Sequence, residues 1–256
     1  MKIIVRSTLS LILAFGFVGP VAAENIKDVM ATLEIPFQTA TAAGQAVHDV
    51  ETKFDQESTI ASLEQTQTGS GRVMLRFDRI DPNKVPLVSF RWEYDLPTRQ
   101  EIVSDGRTIW VYIPENNQVI ESNISEVSEA RPEDPLTFLT GLGNLSRDFS
   151  VRWGSPDRDA ENNYVVDLTP RRTTATLNHL TVVVDRRAVQ EYLNGNTGRT
   201  FPIRETTATD PNGNITRIVF NQQLMKLNRG LSPSLFRYIK PAGVEVVRPG
   251  GGQMGY

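Results

Sequence analysis

The apolar positions of this chain recur with two different periods. Ile26, Val29, Met30 and Leu33 fall at i, i+3, i+4 and i+7, a spacing that puts all four on one face of a helix. Pro36 should end or bend that helix, and Ala40 to Ala46 is compatible with its resumption. Further on the period drops to two. Val73, Leu75 and Phe77 alternate with Met74, Arg76 and Asp78; Phe90, Trp92 and Tyr94 alternate with Arg91 and Glu93; Ile109, Val111 and Ile113 alternate with Trp110 and Tyr112. Later runs over 164–168, 180–185, 200–208 and 215–221 read as strands too. Turn residues separate them: Ser104-Asp105-Gly106, Glu115-Asn116-Asn117, Asn194-Gly195-Asn196 and Asp210-Pro211-Asn212-Gly213. Regularly spaced strands with short turns predict one antiparallel meander and a mainly β fold, not βαβ units. A second short helix is expected over Pro132 to Leu142. Glu133 or Asp134 can cap it, Pro135 suits its first position, and Gly141 or Gly143 suits its exit. Leu136, Leu139, Leu142 and Leu145 would form its apolar side, with Phe138 beside them. No internal repeat or linker is evident, and the Gly-rich end, 249–256, is expected to fray.

The first residues change the picture of where the chain works. Lys2 and Arg6 precede an apolar run from Leu9 to Val18, followed by the small residues Val21-Ala22-Ala23. This is the three-part plan of a secretory signal, and the run is shorter than the roughly 20 residues a membrane span needs. Residues 1–23 are therefore expected to be cleaved, leaving one domain over 24–248 in the periplasm of a Gram-negative bacterium. The formal net charge of the whole chain is −3, and loss of the basic signal makes the remainder more acidic. Nucleic acid, which is held by clustered Lys and Arg, is an unsuitable partner. The chain has no cysteine, which rules out disulfides, thiol nucleophiles and thiolate metal sites.

Candidate chemistry is sparse. The two histidines, His48 and His179, lie in no HExxH pattern. No GxSxG elbow or phosphate-binding loop is present; Gly69-Ser70-Gly71 lacks the remainder of either. No metal or cofactor is implied, and the expected reading is not an enzyme. Aromatic surface remains. Phe90, Trp92 and Tyr94 share one face of a strand, and Trp110 and Tyr112 share one face of another. Such rings either fill a core beneath helices or line a ligand cavity; the pattern fits both, and leaves open whether Trp110/Tyr112 or Ile109/Val111 points inward.

Several segments resemble a known family. These are Phe54-Asp-Gln-Glu-Ser-Thr-Ile60, Thr66-Gln-Thr-Gly-Ser-Gly-Arg-Val73, Phe90-Arg-Trp-Glu-Tyr94 and the hairpin-like Val103 to Val119 with its DGxxxWxY-type pattern. Pro135 to Leu145 is similar to a lid-helix segment, and Leu231-Ser-Pro-Ser-Leu-Phe236 with Lys240 to Val246 to a closing strand. In order, behind a signal, over about 40–247, they resemble the periplasmic lipoprotein carrier family LolA.

That resemblance implies a curved, unclosed antiparallel β-barrel with short helices over its concave, apolar face. It implies a monomeric chaperone without cofactor or covalent chemistry, whose ligands are the acyl chains of lipoproteins. The family receives these from an inner-membrane ABC-type release complex and passes them to an outer-membrane receptor. The cavity residues it points to are Phe90, Trp92, Tyr94, Trp110, Tyr112, Leu136, Phe138, Leu139 and Leu142. It also implies an arginine latch on the lid helix, which counting from Gly71 puts at Arg79, with Arg76 and Arg91 as alternatives. Here an Arg-Pro pair is replaced by the longer Arg79-Ile-Asp-Pro-Asn-Lys84. Two other readings fit a similar composition: a same-fold lipid-binding or envelope-stress sensor module, and a hydrolase built from scattered carboxylates.

Overall fold

The computed structural model describes residues 25–81, 86–123, 141–173 and 177–248. The signal segment, the tail and lid residues Leu136, Phe138 and Leu139 lie outside these. Helix α1 (Ile26–Glu34) opens on a reciprocal cap. Asn25 Oδ1 accepts the backbone N–H groups of Lys27 and Asp28, and the Asp28 carboxylate accepts that of Asn25. Val29, Met30 and Leu33 point inward as the spacing predicts. The helix stops where Pro36 enters, in a 3₁₀ turn Ile35–Phe37. It does not resume; only a 3₁₀ turn, Ala43–Gln45, follows.

The strands are β1 (Asp49–Ile60), β2 (Gln65–Asp78), β3 (Leu87–Leu96), β4 (Gln100–Ser104), β5 (Thr108–Ile113), β6 (Gln118–Asn123), β7 (Phe149–Arg158), β8 (Tyr164–Pro170), β9 (His179–Val184), β10 (Ile203–Thr209), β11 (Ile215–Phe220), β12 (Lys226–Leu227) and β13 (Glu245–Val247). They form one sheet in the order β13-β6-β5-β4-β3-β2-β1-β11-β10-β9-β8-β7, with β12 beside β1. Pairing is antiparallel except where β13 joins β6 in parallel. The sheet is not closed. Its centre is the β1–β2 hairpin, paired from Asp49↔Arg76 to Ile60↔Gln65 and turned by Glu64 at φ +51°. Two further α-helices, α2 (Leu145–Asp148) and α3 (Arg186–Leu193), lie among the described residues. The pattern of the sequence does not announce α3, which packs against α1. Its start is set by Asp185, whose carboxylate accepts the Arg187 N–H at 2.8 Å.

One buried cluster draws on both halves of the sheet. Val73, Leu75 and Trp92 from one half share it with Leu168, Val182 and Ile218 from the other, and with Val29, Leu33 and Phe37 from the N-terminal segment. The sheet is therefore curled around its core, and α1 and α3 lie over the inner face. A second set of buried apolar residues, Met74, Val103, Val119, Phe236 and Val244, falls outside that cluster. Those on strands have the opposite parity and face outward, where the C-terminal segment 228–247 crosses the sheet.

That strap is fastened by a buried carboxylate. Asp49 accepts the backbone N–H groups of Arg229, Gly230 and Leu231 at 2.8, 2.9 and 3.2 Å. The chain reaches it through Asn228 at φ +54° and Gly230 at φ +75°, left-handed conformations that suit Asn and Gly. Arg76 adds a bond to the Leu231 carbonyl at 2.9 Å. Hydrogen bonds to a charged acceptor contribute more than neutral ones. Asp49→Ala should lower stability by about 2–3 kcal/mol in urea unfolding and expose 228–247 to proteolysis. A loss below about 0.5 kcal/mol with the strap still protected would show that Asp49 is not its anchor.

Candidate functional site

The inner face of the curled sheet carries a continuous string of aromatic rings. Phe77 meets Phe37 at 4.9 Å between centroids, Phe37 meets Phe201 at 6.0 Å, and Phe201 meets Phe220 at 6.1 Å. Trp92 joins Phe220 at 6.3 Å and Phe54 at 4.6 Å, and Phe54 meets Tyr94 edge-on at 5.1 Å. These are tilted and edge-to-face geometries, which ring quadrupoles favour. Strand register sets the string: Val73 lies opposite Trp92 and Gly71 opposite Tyr94, while Phe54 lies opposite both Gly71 and Phe220. Gly71 is needed there, because an added Cβ would fall 1.9 Å from the Glu93 carbonyl oxygen.

Of the residues the sequence singles out, Phe90 and Trp92 are buried in this cluster, Tyr94 packs against it, and Leu142 joins it. Trp110 and Tyr112 do not. The alternation of β5 turns Ile109 and Val111 inward and sends both rings to the outer face, where they pack on Tyr238 at 6.4 and 5.9 Å. Of the two pairs left open, Ile109 and Val111 face the core, so alternation puts Trp110 and Tyr112 on the opposite face, and the expectation that they line the inner face is not met by their packing. Phe37, Phe201 and Phe220 carry the string but were missed. No strand alternation marks Phe37, Phe201 lies just before β10, and Phe220 is the last residue of β11.

The string runs from wholly apolar to polar. At one end the Tyr94 hydroxyl donates to Gln56 Oε1 at 2.8 Å, and Gln56 donates to Ser58 at 3.0 Å. In the middle, the Trp92 indole N–H is buried with no hydrogen-bond acceptor among the described residues. An orphan donor of this kind costs about 1–3 kcal/mol.

Arg79 stands at the opposite end. Its Nη2 donates to the carbonyls of Pro36 and Val47 at 2.8 and 2.9 Å, and its Nε to that of Gln38 at 3.3 Å. Burial lowers its guanidinium below the ordinary arginine value. The other two arginines serve the outer face. Arg76 binds Asp78 and the Leu231 carbonyl, and Arg91 binds Glu93, Glu101 and the Leu235 carbonyl.

The Glu93 carboxylate is shifted away from the range a general acid needs. Burial pushes the Glu93 carboxyl up, but hydrogen bonds from Arg91 and Arg72 overcome it and leave it below the usual range. A general acid needs the opposite shift. His179, Asp167 and Thr181 meet on the outer face, yet both His179 Nε2 and the Thr181 hydroxyl point at the same Asp167 oxygen. The histidine does not stand between hydroxyl and carboxylate, as a nucleophile relay requires. Among the described residues no cluster of three or more potential ligands could hold a metal ion.

Residues 45–239 match the family model described as outer membrane lipoprotein carrier protein LolA. An outer-membrane lipoprotein carrier protein of Chromobacterium violaceum is 30% identical over 190 residues, covering 73% of this chain and 79% of the relative. One from Neisseria gonorrhoeae is 26% identical over 234 residues, covering 87% and 97%. Among solved structures, a LolA superfamily protein from Nitrosomonas europaea aligns over 84% of this chain and 99% of its own, with TM-score 0.40 and 12% identity. The class defined here is an unclosed, mostly β half-barrel with an apolar inner face. The chain belongs to the LolA family of outer membrane lipoprotein carriers.

The outer aromatic patch yields a pH prediction. Burial, then the proximity of Tyr112 and Glu101, push the Tyr238 hydroxyl up from 10.0 to about 12. In the unfolded chain it ionises near 10, so the contribution is intact below pH 10 and is lost as pH rises towards 12. Its hydroxyl is buried without a partner among the described residues, so Tyr238→Phe should cost little at pH 7. The wild-type minus variant stability should fall between pH 10 and 12 in denaturant titrations. A flat difference over that range would contradict the burial argument.

Proposed function

We propose that this protein is a periplasmic chaperone, not an enzyme, that shields the acyl chains of lipoproteins against the inner face of its sheet. On this reading it takes them from an ABC-type release complex of the inner membrane and delivers them to a receptor at the outer membrane. The observation that carries the proposal is the aromatic string on the inner face of an unclosed sheet, in a chain belonging to a carrier family. Acyl chains make no directional contacts, so their site needs apolar area and room to rearrange, and an open sheet curled around aromatic rings supplies both. The signal-like start supports a periplasmic location, and residues 24–248 are the carrier domain.

Cargo would lie among Phe90, Trp92, Tyr94 and Leu142, with Leu136, Phe138 and Leu139 covering it. Phe90→Glu places a charge where chains would lie. The variant should lose lipoprotein binding by at least about tenfold while remaining folded by circular dichroism. A folded variant that loads normally would refute the placement.

Arg79 acts as a latch. On this reading its bonds to the 36–47 backbone would break when that segment moves to admit acyl chains. A contact present only in the empty state opposes loading and favours release. Arg79→Leu should therefore tighten cargo binding and slow delivery to an acceptor membrane, by roughly tenfold if about 1.4 kcal/mol is lost. Wild-type loading and delivery would remove Arg79 from the mechanism.

A further inference from the structure

A groove of about 510 Å³ lies outside the aromatic string, between α1, the 3₁₀ turn after it, α2 and the edge strand β7. Its volume falls in the range of about 300–1,000 Å³ typical of small-ligand sites. One wall is apolar: Ile26, Met30, Ala31 and Ile35 from the N-terminal segment face Val151 of β7. Ile26 and Val151 also pack against the core, so the wall is a fixed surface and not a set of loose side chains.

The polar groups of the groove divide into two kinds. Glu34 already accepts the Ser146 N–H, and Gln38 already donates to the Gly143 carbonyl at 3.3 Å. Lys27 and Arg171 are different. Lys27 lines the groove on the exposed side of α1, with no carboxylate within ion-pair distance among the described residues. Arg171 spends one side-chain donor on the Ser146 carbonyl, at 3.4 Å, out of the five its guanidinium carries. A second arginine, Arg172, follows it in the chain. The groove thus joins an apolar wall to two cationic groups, against one carboxylate that is already hydrogen-bonded.

We propose that this groove binds one acyl chain of an anionic glycerophospholipid, with the lipid phosphate received by Lys27 and Arg171. A free phosphate would leave the apolar wall unused, and a neutral acyl chain would leave the cations unused. An anionic phospholipid uses both, since arginine and lysine are the side chains that receive phosphate. The groove borders the inner face, since Met30 belongs to the buried cluster, but it takes no residue of the aromatic string, so it can fail while the carrier reading stands, and the reverse.

The test uses purified protein with dioctanoyl phosphatidylglycerol, dioctanoyl phosphatidylcholine and glycerophosphoglycerol, which has no chains, followed by titration calorimetry and native mass spectrometry. Phosphatidylglycerol should bind at one equivalent, and the other two on the order of tenfold more weakly or worse. Lys27→Glu with Arg171→Glu, both exposed positions, should weaken phosphatidylglycerol on the order of tenfold and leave lipoprotein loading at the wild-type level. Equal binding of phosphatidylcholine, equal binding of glycerophosphoglycerol, or an unchanged affinity in the double variant would each overturn the proposal. If the double variant loses lipoprotein loading as well, the groove is part of the cargo site and the proposed separation is wrong.

Discussion

Strand alternation in a sheet that never closes is the constraint on which everything else in this molecule depends. Each residue of β1 to β11 belongs to one face or the other, and a slip by one position would exchange them. The inner face receives Val50, Phe54, Val73, Leu75, Phe90 and Trp92; the outer face receives Glu51, Arg72, Arg76, Arg91 and Glu93. A closed barrel or a sandwich would cover the inner face with more sheet. Here it is covered by curl and by Phe37, α1 and α3, which supply side chains but few strands. The apolar face is therefore held by pieces that can move without breaking the ladder.

The outer face solves a different problem. Arg217 pairs with Glu205 at 2.6 Å and Glu57 at 3.5 Å, and Arg72 with Glu51 at 3.6 Å and Glu93 at 2.8 Å. Arg91 then links Glu93 to Glu101. Exposed pairs of this kind contribute about 0–1 kcal/mol each, so the rows of charge are a small part of stability. Their larger effect is on register and solubility, because a shifted strand would set like charges opposite one another. Where the sheet's outer face is apolar instead, over Met74, Val103 and Val119, the strap covers it, with Phe236 buried and Asp49 fixing its approach.

Much of this was legible in the sequence. Strong alternation in 73–78, 90–94 and 109–113 fixed strands, and Ile26 to Leu33 fixed α1 and its end at Pro36. The unclosed mainly β architecture followed from the family resemblance. What failed did so for physical reasons. Helix α3 has only Ala188 and Val189 buried, too few apolar residues for a visible period, and its signal is the single cap Asp185. The face of β5 could not be read from its own alternation, because both of its faces carry large apolar side chains and only pairing with β4 and the strap decides between them. Phe37, Phe201 and Phe220 lie far apart in sequence, and long-range closure alone brings them into one string. Counting made Arg79 a candidate latch on the lid helix, but three of the carbonyls it reaches come instead from the segment after α1, 32–43 residues away in the chain.

A carrier must hold its cargo without trapping it, and the packed inner face bears on that balance. Three acyl chains of about 15 carbons, at roughly 0.8 kcal/mol per methylene, would gain on the order of 36 kcal/mol if shielded completely. Shielding on that scale would leave nothing able to recover them. On the proposed reading, however, cargo enters a face already filled by rings in contact, so loading must first part Phe54 from Trp92, Phe37 from Phe77, and Arg79 from the carbonyls of Pro36, Gln38 and Val47. Every contact broken subtracts from the gain. On the same reading those contacts would re-form on release, and the restored aromatic string would supply part of the driving force for handing the cargo on. The net preference is then a small difference between large terms, and a small difference is what allows a better acceptor to take the cargo.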